Sequence, residues 1–473
     1  MSAQPIPLCV DLDGTLIRSD LLFESALSLL RRNPLYVFAF VLWLARGRAH
    51  LKREIARRAE VDPATLPYDE RVVEWLREQQ GQRPRVLCTA SDAALAQGVA
   101  AHLGLFDDVM ASDGERNLAG RHKGEALRER YGDKGFDYAG NEFRDLHIWK
   151  HARRAVVVNG GERLARAAGG CCDVERVFEA RRGGLRTWIK ALRLHQWLKN
   201  LLVFLPLFTS HRVLETATTV NCILAFLAFG LCASGVYLLN DLFDLDADRR
   251  HPRKRLRPFA AGTLPLSAGL VCAPVFAVAG LALAAWLSLA FAGVLACYYV
   301  LTLAYSLRLK RIVMLDVIVL AALYTVRIIG GAVVIGGGLS FWLLAFSMFL
   351  FLSLAMLKRY TELRSLLGSG KSEASGRGYA VDDIALIQSL GGASGYMSVL
   401  VLALYINSTA SEALYRNQQV LWLLCPLLLY WISRVWLIAH RGQMHDDPVV
   451  FALVDRVSRV ILALCAIVVA GAI

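Results

Sequence analysis

The sequence has no CxxC pair among its ten cysteines and no histidines at metal-ligand spacing, so neither a structural zinc nor a disulfide framework is expected. Cys222, Cys232, Cys272, Cys297, Cys425 and Cys465 lie in apolar runs and read as small buried hydrophobes; the adjacent Cys171 and Cys172 suggest nothing specific. Met1 to Pro7 lacks the basic-then-apolar order of a signal peptide, so the first domain is expected in the cytoplasm. No strip of interleaved basic and aromatic residues lies outside the loops that border apolar runs, so nucleic acid is not an expected partner.

What is there is divided. The chain of 473 residues is 56% hydrophobic and carries 20% charged residues, with a mean hydropathy of +0.43. A soluble protein could not hide that much apolar surface, and a purely membranous one would not need so many charges. The charges concentrate before residue 190 and in a few later clusters, between apolar runs long enough to cross a bilayer. The net charge of +13 fits cytoplasmic loops that collect Lys and Arg; it also fits a site for phosphorylated ligands.

Residues 1–180 alternate short apolar strands, at 6–10, 85–88, 136–139 and 155–158, with amphipathic helices. This predicts an α/β domain on a parallel sheet. A helical insertion, a cap over about 20–80, separates the first two strands. Its stretch 35–45 is markedly apolar but too short to span; it is either a buried cap helix or a helix on the membrane surface. A basic joint over 181–190 leads to an all-α membrane domain, 191–473. Nine spans are predicted there, at about 192–211, 218–240, 267–287, 289–306, 314–335, 340–357, 393–410, 419–438 and 456–473. With the first domain in the cytoplasm, the even-numbered spans exit beside Arg249–Arg257, Arg308–Arg311, Lys358–Lys371 and His440–Arg441. Basic clusters and helix count therefore agree on orientation.

The first strand runs into Asp11-Leu12-Asp13-Gly14-Thr15. Two carboxylates two residues apart at a strand end can face a metal and a phosphoryl group, one as nucleophile and the other as general acid and then base. Thr89 ends the second strand, where its hydroxyl can hold a phosphate oxygen. Lys123 supplies a cation for the charge of the transferred group. Gly140-Asn141-Glu142-Phe143-Arg144-Asp145 follows the strand at 136–139, where a metal loop belongs. This ordered set resembles the haloacid dehalogenase (HAD) phosphatases over most of residues 5–175. The resemblance implies a HAD-like, Rossmann-like fold with a helical cap and one Mg²⁺ held by Asp11, Asp13, Asn141 and Asp145. In one respect the chain departs from that family: Asn141 stands where the metal loop usually has an Asp. An amide oxygen still suits a hard cation but brings no charge.

The second span ends in Asn240-Asp241-Leu242-Phe243-Asp244-Leu245-Asp246-Ala247-Asp248. On a helix Asp241, Asp244 and Asp248 share one face, and carboxylates so close repel unless a cation lies among them. Acidic residues at a membrane helix end are costly and usually functional. Mg²⁺ is commonly held by one or two carboxylates plus substrate phosphates. The spaced NDxxDxxxD pattern resembles the UbiA-type prenyltransferase superfamily, over residues 190–473. Its aromatic prenyltransferases carry a second acidic motif near the fifth span; here that segment, Tyr305 to Arg311, is cationic and is followed by a lone Asp316. Fixed cations suit a ligand with a further phosphate. The same side offers Lys199, Lys254, Arg257, Lys358, Arg359 and Arg377, and Arg327 lies within a span, where an unpaired charge is expensive.

Together His195 to Asn200, the stretch from Asn240 to Gly262, Tyr305 to Lys310 and Lys358 to Tyr360 resemble the polyprenyl-phosphate (decaprenyl-phosphate) phosphoribosyltransferase branch of that superfamily. The resemblance implies attack of a polyprenyl phosphate on C1 of 5-phosphoribosyl diphosphate (PRPP). Asp241, Asp244 and Asp248 would then hold a second Mg²⁺ with the diphosphate, and Asn240 would position it. Tyr305, Lys310 and the other cations would receive the 5-phosphate or the lipid phosphate. The expected protein is a bifunctional enzyme of the cytoplasmic membrane, both sites facing the cytoplasm, whose phosphatase removes the 5-phosphate. A homo-oligomer is compatible with the sequence. The rival reading is an aromatic, quinone-type prenyltransferase joined to an unrelated or non-catalytic HAD domain.

Overall fold

The computed structural model describes residues 5–113, 118–179, 183–368, 378–444 and 447–473. They form two compact units: Met1–Leu192 with Tyr237–Ala273, and Arg193–Val236 with Pro274–Ile473.

Among the described residues the first unit is built on six parallel strands, β1 (Leu8–Val10), β2 (Arg85–Asp92), β3 (Asp108–Ser112), β4 (Asp137–Gly140), β5 (Arg154–Val158) and β6 (Asp173–Phe178), in the order β3-β2-β1-β4-β5-β6. The central strands read as uninterrupted apolar runs because helices cover both sheet faces. Leu8, Val10 and Leu87 enter one buried cluster, while Cys9, Val86 and Cys88 enter the other. The sequence reading found β1, β2, β4 and β5 and missed both edge strands. In β6, Asp173, Glu175 and Arg176 are exposed, so its pattern is that of a rim rather than a core.

The insertion between β1 and β2 opens with three helices, α1 (Leu21–Arg32), α2 (Tyr36–Ala45) and α3 (Arg48–Ala56), and ends with a fourth, Glu70–Glu78. Asp20 caps α1 by accepting from the Leu22 and Phe23 amides, and Arg31 and Arg32 occupy its last turn; both features suit the helix dipole. No residue of α2 is buried, so this helix is not packed inside the cap.

Seven helices among the described residues are long and apolar enough to cross a membrane: Thr216–Phe243, Leu266–Leu287, Leu289–Leu307, Leu315–Val334, Phe341–Leu367, Val381–Ile406 and Gln418–His440. The chain is an integral membrane protein. The other two expected spans take other forms. Residues Leu194–Phe204 are a 3-10 helix, followed by the α-turn Leu205–Thr209 that Pro206 starts. Arg456–Ala472 is an α-helix of 17 residues. In the second unit, Ile384–Ile406 packs closely on Phe341–Gly368 and on Leu424–His440, because Gly391 and Gly395 leave room for Met356 and Ser353 of the first and for Trp436 and Ile432 of the second. The expectation for the cysteines holds in part: Cys222, Cys232 and Cys425 are buried, but Cys297 is exposed and Cys272 and Cys465 are half-buried. A small thiol is as much at home against lipid as against protein.

Candidate functional sites

In a doubly wound sheet, ligands bind beyond the carboxyl ends of the strands where the strand order reverses. Here that point is the end of β1, flanked by β2 and β4. Asp11 follows β1, and its Oδ1 accepts from Lys123 Nζ at 2.6 Å. Lys123, from the helix Arg121–Tyr131, is 4% exposed and also donates to Tyr138 Oη at 3.2 Å. The Tyr138 hydroxyl donates in turn to Asp145. The other Asp145 oxygen accepts the backbone amides of Asn141 and Glu142, both at 2.9 Å. Asp145 therefore shapes the loop that presents Asn141, whose Oδ1 accepts from the Thr15 hydroxyl at 3.2 Å. Gly14 has a φ of +73°, and a Cβ there would collide with the Asn141 amide. Glycine is thus required twice over in this turn.

Asp13 accepts from the Leu21 amide and the Ser91 hydroxyl, both at 2.8 Å. Burial, with Asp20 and Asp11 nearby, pushes it up to about 7. Such a carboxyl can hold a proton near neutral pH. Burial and Asp11 push Asp145 up to about 6 against the pull of Lys123. Burial opposes the charge on Lys123, but Asp11 and Asp145 outweigh it and hold the ammonium above its ordinary range. Thr89 is fully buried and does not end its strand, because β2 continues to Asp92. The pairing of β2 with β3 shifts register between Cys88 and Asp92, so Thr89 lies at the irregularity, its hydroxyl oxygen accepting from the Ser91 amide. Ser91 gave no signal in the sequence, since its role depends on that shift.

The acidic segment belongs to the same unit. The helix Thr216–Phe243 stops before Asp244, which starts the short helix Leu245–Arg250. The predicted continuous face is therefore broken at Asp244, although Asp244 and Asp248 still donate their amides to the carbonyls four residues earlier. Asp241 and Asp248 are each 2% exposed, and Arg257 Nη1 bridges them at 3.2 and 2.7 Å. That guanidinium relieves the repulsion expected of close carboxylates. Asn240 and Asp244 are half-buried and Lys254 is exposed. A second contact was invisible in the sequence: Arg249 donates to both oxygens of Glu24 on α1, at 3.1 and 2.6 Å. Arg31 and Asp246 form an exposed pair at 3.4 Å.

Among the described residues no three His, Cys, Asp or Glu side chains converge as a ready metal-binding group. The donors at both places are hard oxygens, from Asp11 and Asn141 in one and from Asp241 and Asp248 in the other. Mg²⁺ needs only one or two carboxylates when phosphate oxygens and water complete its shell. Both donor sets fit an ion that arrives with phosphate.

The second unit gathers cations. Lys199 and Lys358 both donate to Asp447 Oδ2, at 2.8 and 2.9 Å. Burial pushes Asp447 up, but the two ammonium groups outweigh it and hold its carboxyl well below the usual range. Arg327 is buried, as a charge within a span must be. Its partners are Asn200 Oδ1 at 2.8 Å, Tyr298 Oη at 2.8 Å and the Leu323 carbonyl. Tyr305 accepts from Arg359 at 3.1 Å. The lone Asp316 is fully buried and paired with Arg359 at 2.7 Å and with Tyr379 Oη at 2.5 Å. Lys310 lies in the 3-10 turn Leu309–Arg311 and is half-buried. Arg377 lies outside the described residues, as do Arg181 and Arg182 in the joint. The sequence reading missed Asp447, whose one available signal was its place before Pro448 as a helix N-cap.

The family model of the UbiA prenyltransferase family matches residues 203–454. An uncharacterized protein of Sinorhizobium fredii, y4nM, is 38% identical over 466 residues, 98% of this chain and 90% of its own length. A decaprenyl-phosphate phosphoribosyltransferase of Mycolicibacterium smegmatis is 32% identical over 282 residues, 58% of this chain and 88% of that protein. Among solved structures, a UbiA homolog from Archaeoglobus fulgidus bound to GPP and Mg²⁺ aligns with a TM-score of 0.47 at 16% identity. That alignment covers 60% of this chain and 99% of the other.

Proposed function

From the premise that the chain belongs to the UbiA prenyltransferase family, we propose that it transfers 5-phosphoribose from PRPP to a polyprenyl phosphate and then removes the 5-phosphate. The observation that carries the first step is the fate of Asp316. It is closed into a pair with Arg359 and Tyr379, in a unit that instead gathers Lys199, Lys358 and Arg327. Such a set suits a substrate whose second anionic group is bound by protein cations, as a 5-phosphate or lipid phosphate would be. The similarity to a phosphoribosyltransferase points the same way.

In the transfer, an ionised oxygen of the lipid phosphate forms a bond to ribose C1 as the bond from C1 to the diphosphate breaks. No protein base is required, because the nucleophile is already deprotonated. Asp241 and Asp248 would hold the metal-bound diphosphate with Asp244 beside them and Asn240 orienting it. Arg257, now shared by the two carboxylates, would meet the departing charge. Mg²⁺ supplies charge neutralisation for the leaving pyrophosphate. Lys199, Lys358 and Arg327 are assigned to a phosphate group.

In the second step Asp11 attacks the 5-phosphorus, and the bond to the ribose oxygen breaks. Asp13 donates its proton to that oxygen, and then takes one from the water that hydrolyses the aspartyl phosphate. Lys123 and Thr89 hold the phosphoryl oxygens. The lipid product is polyprenyl-phosphoryl-ribose, and both steps are assigned to the cytoplasmic face. The deciding experiment incubates membranes with radiolabelled PRPP and polyprenyl phosphate. A labelled ribose lipid is expected. Its absence, with a parallel incubation in radiolabelled prenyl diphosphate giving a labelled prenylated aromatic, would establish the quinone-type alternative.

A further inference from the structure

We propose that α2 is a membrane-surface helix of the cap, seated at the boundary between headgroups and acyl chains of an anionic bilayer. Its ten residues, Tyr36-Val37-Phe38-Ala39-Phe40-Val41-Leu42-Trp43-Leu44-Ala45, carry no charge, and none is buried. Phe38, Val41 and Leu42 are 66–69% exposed and Leu35, just before the helix, is 65% exposed. A cap helix made for water would not be apolar around its whole circumference. At about 1.5 Å per residue it rises about 15 Å, half a bilayer core, so it can enter the surface but cannot cross.

The flanks identify the occupant. Arg46, Arg48, Arg53 and Arg57 follow the helix, all exposed, whereas the exposed Arg31 and Arg32 before it are paired with Asp246 and Glu60. Glu54, the one acid within α3, is already used by Arg58. Such a basic collar complements anionic headgroups, and would repel the same collar on a second copy of the chain. Tyr36, Phe40 and Trp43 cluster with ring centroids 5.8–6.4 Å apart, giving the amphipathic rings found at bilayer interfaces. The unit that carries α2 also contains the end of one candidate span and the start of the next, so a bilayer boundary falls on that unit. The assignment does not depend on either proposed reaction.

Full-length protein carrying the photo-crosslinker p-benzoylphenylalanine at Phe38 or Leu42 would be reconstituted in nanodiscs of phosphatidylglycerol and phosphatidylcholine. The control places the crosslinker at Arg163, an exposed position of the helix Gly161–Gly169. Irradiation should give phospholipid adducts at positions 38 and 42 and none at 163. Chain-to-chain products, or no lipid adduct at either position, would overturn the proposal. The adduct yield should fall several-fold in pure phosphatidylcholine and in the Arg46→Glu, Arg48→Glu variant. An undiminished yield in both would overturn the anionic part.

Discussion

Asn141 is the residue on which the proposed hydrolytic step turns. Its amide oxygen accepts from Thr15, an interaction that a carboxylate in the same place would keep. Asn141→Asp adds a negative charge beside Asp11 without adding bulk, and a harder ligand binds Mg²⁺ more tightly. The expected result is a phosphatase that reaches half its rate at roughly tenfold lower Mg²⁺, read from phosphate release during a Mg²⁺ titration; an unchanged midpoint would remove Asn141 from the metal shell. Asp447 presents the opposite case, since two lysines depend on it. Asp447→Ala leaves both ammonium groups without their shared acceptor, and breaking a buried pair costs about 3–5 kcal/mol. Because Asp447 also caps the helix Pro448–Val454 by accepting from the Val449 amide, a lowered midpoint of thermal unfolding in detergent is expected. Asp447→Asn keeps the cap and should recover part of the loss. Residues of this kind are hard to find in a sequence. Asp11 and Asp13 announce themselves because the two are neighbours in a motif, whereas Asp447 meets Lys199 across 248 positions.

Of the elements, α1 makes the least expected connection. Its N-terminus gives the Leu21 amide to Asp13, and three residues on Glu24 grips Arg249 in the acidic segment. Both partners of the second contact are nearly buried, at 5% and 7% side-chain exposure. Truncating either one strands a charge, so the pair is best measured by a cycle of Glu24→Gln, Arg249→Met and the double variant. A coupling of about 1–3 kcal/mol in unfolding stability is expected, with a transferase rate that falls in each single variant and recovers partly in the double. Additive losses would mean the ion pair contributes nothing of its own. The sequence showed a cap and an acidic helix end but not that one holds the other, because no periodicity or motif links residue 24 to residue 249. The regular elements were more legible: four central strands stood out because burial on both faces makes them uniformly apolar. The rim strand β6 did not, since its charged outer positions look like loop. The segment from Leu194 read as an ordinary span, and its 3-10 winding is a matter of hydrogen bonding that composition does not reveal.

At the scale of the whole molecule, the two proposed activities would share a substrate that cannot leave. The proposed intermediate has a polyprenyl tail and stays in the bilayer, where a phosphatase in the same chain meets it in two dimensions and at high effective concentration. Order of action follows from chemistry: PRPP must keep its 5-phosphate through the transfer if the cations of the second unit recognise it. Asp11→Asn tests this without disturbing the acidic segment. With PRPP labelled at the 5-phosphate, wild-type membranes should first build and then lose labelled lipid, releasing inorganic phosphate. In Asp11→Asn the nucleophile is gone, so labelled lipid should form at an unchanged initial rate and persist, with phosphate release down by about a thousandfold or more. If lipid label decays equally in both, another phosphatase acts on the product and the first domain has a different substrate. If no labelled lipid forms in either, the transfer reading itself fails, and the two failures are told apart in one time course.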